Sequence, residues 1–282
     1  MKPAAFDYVR PASVDEALAA IAEHGKNAAV LAGGQSLVPR MSQRIEQPRV
    51  VVDIMRIAEL QSLGGGGDWL EIGAGIRMSQ AARSAGSALL TRALGHVGSV
   101  PVRNSGTVCG SIAYSDPSAE LPAVLLALDG QVVVRSIRGE RVIPADEYFA
   151  VARTARPADE LITSIRMRKD PLRTAFLEVT PRMGSGFGEF PVVAVAGAAD
   201  RGPDGRFTHV SLALTGVGDR PVRARDAEKL LVGATLSEAV IDAAADAASS
   251  AVSPVADIHA GSSYRHALVR ALTRRVVRTL AA

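Results

Sequence analysis

Apolar and polar positions alternate along this chain in two periods, and the changes between them outline its elements. Behind Ser13-Val14-Asp15-Glu16, a capping-box pattern, Ala17, Leu18, Ile21 and Ala22 recur at helical spacing, which predicts a helix stopped by Gly25. Ala28–Leu31, Val50–Ile54 and Leu70–Gly73 are short apolar runs that predict buried strands, the last entered through a turn at Gly64–Gly67. Met78–Gly95 has helical periodicity and leads into an irregular stretch through Gly110. Asp116-Pro117 predicts a helix start, with Asp as cap and Pro in the first turn, running over Ala119–Leu128 to Asp129-Gly130. Gln131–Ser136 and Glu140–Ile143 flank Arg138-Gly139 as a hairpin, and Leu161–Met167 is a further strand broken by Lys169-Asp170-Pro171.

From about Thr174 the texture changes to longer strands at Ala175–Val179, Val192–Ala199 and Phe207–Thr215. Helices are predicted at Ala224–Leu231, Ser237–Ser249 and Tyr264–Leu280. A boundary near residue 172 gives two domains, 1–172 and 173–282, and the mixture of elements predicts α+β in both.

At 282 residues, with 48% hydrophobic and 22% charged, the chain supports a real core and is unlike a disordered sequence. No apolar run approaches the roughly 20 residues that span a bilayer. Asp7 stands where a signal peptide would carry its apolar centre, and Cys109 is the only cysteine, so a reducing, cytoplasmic setting is expected. One cysteine also excludes a self-contained cysteine-ligated iron–sulfur cluster. The net charge of +3 is small, and basic residues gather only at Arg265, Arg270, Arg274, Arg275 and Arg278. Arg270, Arg274 and Arg278 recur every four residues beside Leu268, Leu272, Val276 and Leu280, which reads as the solvated face of an amphipathic helix, with partner docking as the alternative. Nucleic-acid binding is not expected.

Two segments share one chemical idea. Leu31-Ala32-Gly33-Gly34-Gln35-Ser36-Leu37 passes from an apolar strand through paired glycines into an amide and a hydroxyl. Asn104-Ser105-Gly106-Thr107-Val108-Cys109-Gly110-Ser111-Ile112 again spaces glycines with hydroxyls. Glycines let backbone N–H groups approach an anion closely, so two such turns meeting in space would suit a diphosphate. Each alone also reads as an ordinary tight turn. No P-loop pattern is present, and Gly184-Ser185-Gly186-Phe187-Gly188 precedes a strand, contrary to a dinucleotide fingerprint. His24, His96, His209, His259 and His266 form no ligand-spaced cluster, and Asp257-Ile258-His259 with Ser262 lacks a nucleophile elbow. Nucleotide-type turns without an acid–base constellation point to a bound cofactor as the source of the chemistry.

At these residues the chain resembles the FAD-binding medium subunit of the molybdenum hydroxylases, the group that includes carbon monoxide dehydrogenase and xanthine dehydrogenase. Ala32-Gly33-Gly34-Gln35-Ser36 stands as an A-G-G-x-S loop, and Arg103–Ser111 is similar to R-N-x-G-T-[IV]-G-G-N. Asp116-Pro117 with Glu120-Leu121-Pro122 resembles D-P-x-x-[DE]-x-P. Gly216-Val217-Gly218-Asp219-Arg220-Pro221-Val222-Arg223 and Asp257 to Arg265 add C-terminal signatures. The resemblance covers nearly the whole chain. It implies a vanillyl-alcohol-oxidase-type FAD domain followed by a smaller α+β domain like the C-terminal domain of the carbon monoxide dehydrogenase flavoprotein. It also implies that Ala32, Gly33, Gly34, Gln35, Ser36 and Leu37, with Thr107, Val108, Cys109, Gly110 and Ser111, embrace the FAD pyrophosphate. Glu120 would be an acidic FAD contact and Ile162 an apolar backbone contact near the flavin ring.

The resemblance further implies a small subunit with 2Fe-2S clusters and a large molybdopterin subunit as partners, in a heterotrimer or its dimer. Electrons would pass from the iron–sulfur centres through FAD to an external acceptor, with no catalytic residue on this chain. A standalone FAD-dependent oxidoreductase of the same fold, similar to the cell-wall UDP-sugar reductases, and a non-catalytic nucleotide-binding protein are the alternatives. Cys109 replaces the first glycine of the family's pair and Ser111 its Asn, and Ala28-Ala29 stand where a lysine is often seen. Phe190 is read either as an aromatic cover for the flavin or as a core aromatic beginning a strand. Val97–Val102 and Gly184–Phe190 are candidate docking segments.

Overall fold

A computed structural model describes residues 2–151, 157–171, 173–181 and 190–282. The fingerprint-like segment Gly184–Gly188 lies outside the described residues. The chain forms two compact units that alternate along the sequence. The first comprises Met1–Ala85, Val100–Tyr114 and Gln131–Met167, and the second Gly86–Ser99, Ser115–Gly130 and Arg168–Ala282.

The first unit holds two sheets. β1 (Asp7–Val9), β2 (Ala28–Leu31) and β3 (Val50–Asp53) form a parallel sheet in the order β1-β3-β2, against which α1 (Val14–His24) packs. Ser13 caps α1 through Glu16 N–H at 3.2 Å, and Gly25 ends it at φ +49°. The Glu16 carboxylate accepts from Ala12 N–H at 2.8 Å, one residue before the position that a capping box would use. The short helix α2 (Leu37–Ser42) follows β2. The second sheet is ordered β4-β5-β8-β6-β7, with β4 (Leu63–Gly64), β5 (Trp69–Gly73), β6 (Gln131–Ser136), β7 (Gly139–Pro144) and β8 (Leu161–Arg168). β6 and β7 are the expected hairpin, and α8 (Ala145–Val151) packs on it.

Three expectations change here. The helix read over Met78–Gly95 is two helices, α3 (Met78–Ser84) and α4 (Ala88–Leu94), because Gly86 at φ +71° breaks the run and Ser87 caps the second through Leu90 N–H. The stretch read as irregular through Gly110 contains α5 (Val100–Ser105) and the start of α6 (Val108–Tyr114), each too short to show its period. Asp116 does not cap the following helix. Its carboxylate closes a local turn on Ser118 N–H at 2.9 Å, and α7 (Glu120–Ala127) starts behind Ala119.

The second unit is built on an antiparallel sheet ordered β12-β11-β10-β9, with β9 (Arg173–Val179), β10 (Val193–Arg201), β11 (Phe207–Thr215) and β12 (Val222–Arg223). β10 is buried along most of its length because both faces are covered. Val193, Val195 and Ala199 join the core with Val269, Leu272 and Val276 of α11 (Ser262–Ala281). A Cβ on Gly197 would come to 2.5 Å from Val276 Cγ1, so glycine there lets the helix sit close to the strand. Alternation turns Ala194, Ala196 and Ala198 to the other face, where α7 packs, buried along its whole length. α9 (Arg225–Leu231) and α10 (Glu238–Ser250) complete the unit.

Arg270, Arg274 and Arg278 of α11 face solvent, as expected, and each is also paired with an acid of α10. Arg270 Nε reaches Asp246 Oδ1 at 2.6 Å, Arg274 pairs with Asp242, and Arg278 with Glu238. α10 carries its acids at the same four-residue spacing, so the two helices meet along a ladder of ion pairs. The periodicity of α11 alone does not reveal this partner stripe, which lies about thirty positions away in sequence on α10.

Candidate functional site

β2 ends at Leu31, whose carbonyl accepts from Ile54 N–H at 3.0 Å, and this fixes where the first glycine segment leaves the sheet. Gly34 turns at φ +72°, a conformation that L side chains rarely adopt. Its carbonyl accepts from Val38 N–H, which starts α2. Gln35 folds back to donate to Gly33 O at 3.2 Å, and Ser36 makes no side-chain cap bond. Among the described residues, the N–H groups of Gly33, Gly34, Gln35 and Ser36 find no acceptor in the fold. Four successive N–H groups are thus left open ahead of α2 as donors that an anion could use.

The second segment is a helix–link–helix rather than the expected turn. α5 ends at Ser105, Gly106 N–H closes on Val102 O at 2.7 Å, and Thr107 caps α6 by accepting from Gly110 N–H at 3.0 Å. A Cβ at 110 would come to 2.7 Å from Thr107 Oγ1, so a larger residue there would make the capping hydroxyl shift. The link is bonded to the start of α3 through Met78 N–H on Gly106 O and Val108 N–H on Ile76 O. Arg77, between them, donates from Nη1 to Asn104 O at 3.2 Å. Among the described residues, the N–H groups of Thr107 and Cys109 also lack an acceptor, although both residues are buried. A buried main-chain donor without a partner is costly, and a ligand oxygen would relieve it.

The two segments meet. A Cβ built on Gly33 would overlap the Ser105 carbonyl oxygen and come to 2.5 Å from Gly106 Cα, so no larger residue fits at 33. Open N–H groups from both segments thus belong to one neighbourhood in the first unit. The residues present fit a diphosphate: they offer main-chain donors, the Ser36 hydroxyl, and no carboxylate in 28–42 or 100–114.

The remaining expected site residues divide. The Cys109 thiol points inward, donating to Ile72 O at 3.4 Å, and burial pushes its pKa up to about 12, so only its N–H can serve a ligand. Its backbone lies in α6 without positive φ, so a residue other than glycine is unstrained there. Val108 is buried with its N–H on Ile76 O, and Ser111 is half-buried with its N–H on Thr107 O. Ile162 is buried on β8, paired with Val134 where β6 and β8 shift register. Glu120 belongs to the second unit, where it opens α7 at 2% exposure. Burial there, with Glu178 and Asp116 as acidic neighbours, raises its pKa to about 8.

Phe190 is exposed and precedes β10, so it is not a core aromatic. Of the docking candidates, Val97 is buried and Val100 exposed. Asp257 is occupied by Arg265 and by the N–H groups of His259 and Ala260, which leaves no triad with Ser262. Among the described residues, no group of His, Cys, Asp and Glu could hold a metal ion, and no helix is long and apolar enough to cross a membrane.

Two family models match the chain along most of its length. Residues 4–167 match the family model of the FAD binding domain in molybdopterin dehydrogenase, and 186–280 that of the CO dehydrogenase flavoprotein C-terminal domain. The chain is 35% identical over 282 residues to the nicotine 6-hydroxylase medium subunit of Paenarthrobacter nicotinovorans, covering 98% of each. It is 32% identical to the glyceraldehyde dehydrogenase medium chain of Sulfolobus acidocaldarius, covering all of both. A solved carbon monoxide dehydrogenase from Hydrogenophaga pseudoflava superposes with a TM-score of 0.94 at 31% identity, over 99% of this chain and 98% of that one.

Proposed function

The chain belongs to the family of FAD-binding medium subunits of molybdenum-containing dehydrogenases, and from that premise we propose that it carries electrons from the iron–sulfur centres of a partner subunit through FAD to an external acceptor. The observation that supports this most is the close approach of Gly33 to Ser105 and Gly106, which brings the two segments that carry unused N–H groups against each other. FAD bound there would supply one- and two-electron exchange. Gly33, Gly34, Gln35 and Ser36 would hold one side of the diphosphate by N–H groups and the Ser36 hydroxyl, with Ala32 and Leu37 fixing the ends of that segment. Thr107 and Cys109 would hold the other side by N–H groups, with Val108, Gly110 and Ser111 shaping the head of α6. Glu120 and Ile162 are carried by the resemblance as an acidic and a backbone contact.

The same proposal places an FAD-binding domain at 1–172 and a C-terminal domain at 173–282, which the two family matches support. It includes a small 2Fe-2S subunit and a large molybdopterin subunit in a heterotrimer or its dimer. It also includes a cytoplasmic setting, which the single cysteine supports. The test is to purify the chain with excess FAD, release the flavin with acid and identify it. One FAD per chain, held without a covalent bond, is expected. A protein that stays colourless at saturating FAD contradicts the proposal.

A further inference from the structure

Main-chain N–H groups lend an anion partial charges, whereas a diphosphate ester brings two full negative charges. The stretches around the Gly33 contact, 28–42, 74–83 and 100–114, contain Arg40, Arg77, Arg83 and Arg103 and no Asp or Glu. Arg40 is committed to Glu46 at 3.0 Å. Arg83 lies in the last turn of α3. Arg103 lies in the last turn of α5 and has an interaction of its own in the fold. Arg77 differs from these three. Its backbone bridges to Thr107 and opens α3, and its guanidinium is tethered to the carbonyl of Asn104, the residue before Ser105. Among the described residues it has no carboxylate partner. A guanidinium offers five N–H donors, so one bond to a carbonyl leaves most of them for a ligand.

We infer that Arg77 is the cation that balances the charge of the diphosphate held between Gly33–Ser36 and Thr107–Cys109. Arg77 is a binding residue, not a catalytic one, and the inference rests on the FAD reading above and refines it. The tether to Asn104 holds the guanidinium against the segment whose next residues, Ser105 and Gly106, touch Gly33.

The test is titration of the flavin-free full chain with FAD, followed by flavin fluorescence at low and high salt. Arg77→Gln is expected to weaken FAD binding roughly tenfold at low salt, as for loss of one charge-assisted contact at a partly exposed site. The gap should narrow at high salt, where screening removes the electrostatic share. Arg77→Lys keeps the charge and should stay within about threefold of wild type, and Arg83→Gln should bind as wild type does. Thermal midpoints establish that the variants are folded, and Arg77→Met replaces Arg77→Gln should the latter not fold. Affinity unchanged by loss of Arg77, or lowered equally at every salt concentration, overturns the inference and leaves the FAD reading standing. Failure of the wild-type chain to bind FAD overturns both.

Discussion

Gly33 and Ser105 are 72 positions apart in sequence, yet a single added carbon on Gly33 would overlap the Ser105 carbonyl oxygen. The obstacle is backbone on both sides, so the neighbour cannot swing away as a side-chain tip would. Gly33→Ala is therefore expected to push the two segments apart and to cost about 1–3 kcal/mol of stability. FAD affinity should fall by roughly a hundredfold, because N–H groups that no longer converge lose about 2–3 kcal/mol of binding. Denaturant melts and FAD titration read the two effects separately.

Cys109 should be chemically silent in the native protein. Its thiol is buried against the Ile72 carbonyl, with a pKa of about 12. The thiolate is the reactive form, so alkylation at pH 8 is expected only at the rate of unfolding. Mass spectrometry after timed exposure to iodoacetamide checks this, and rapid labelling of folded protein would contradict it.

Glu120 gives the second unit a pH dependence whose sign follows from burial. Below its ordinary range near 4.5, both folded and unfolded chains hold the proton, and this contribution to stability is fully present. As pH rises, the unfolded chain releases the proton first, so stability falls until the folded group ionises near pH 8. Glu120→Gln should flatten that slope and raise stability at pH 9 relative to wild type by roughly 2–4 kcal/mol. Denaturant melts of the flavin-free protein from pH 5 to 9 measure it, and parallel curves for the two proteins would refute the assignment.

Two kinds of arginine in the second unit should behave differently. Arg223 is nearly enclosed, with Nη1 on Asp129 at 2.7 Å and on Leu126 O at 2.9 Å, Nη2 on Ser211, and Nε on Glu228. Arg223→Met leaves buried acid behind and should cost about 3–5 kcal/mol. Arg270 pairs with Asp246 at the surface, and its removal should cost less than about 1 kcal/mol, less still in salt. Urea melts of the two variants decide whether this contrast holds.

Strands and long helices were legible because each carries its own period. Phe207–Thr215 coincides with the predicted run, and α10 and α11 lie within about two residues of theirs. Short helices were not legible, because α5 and α6 have fewer than two turns each and their apolar faces are set by neighbours distant in sequence. The two glycine segments were visible as chemistry, through glycine spacing and hydroxyls. Their meeting was not, since nothing local to Gly33 encodes its contact with Ser105. Arg77 was missed for the same reason: in sequence it is a lone basic residue between Ile76 and Met78, and only its bond to Asn104 gives it meaning.

The most direct measurement is a crystal structure of the chain with FAD bound. The account predicts diphosphate oxygens within hydrogen-bond distance of N–H groups from both Gly33–Ser36 and Thr107–Cys109. A diphosphate bound by only one of these segments, or placed away from both, would contradict it.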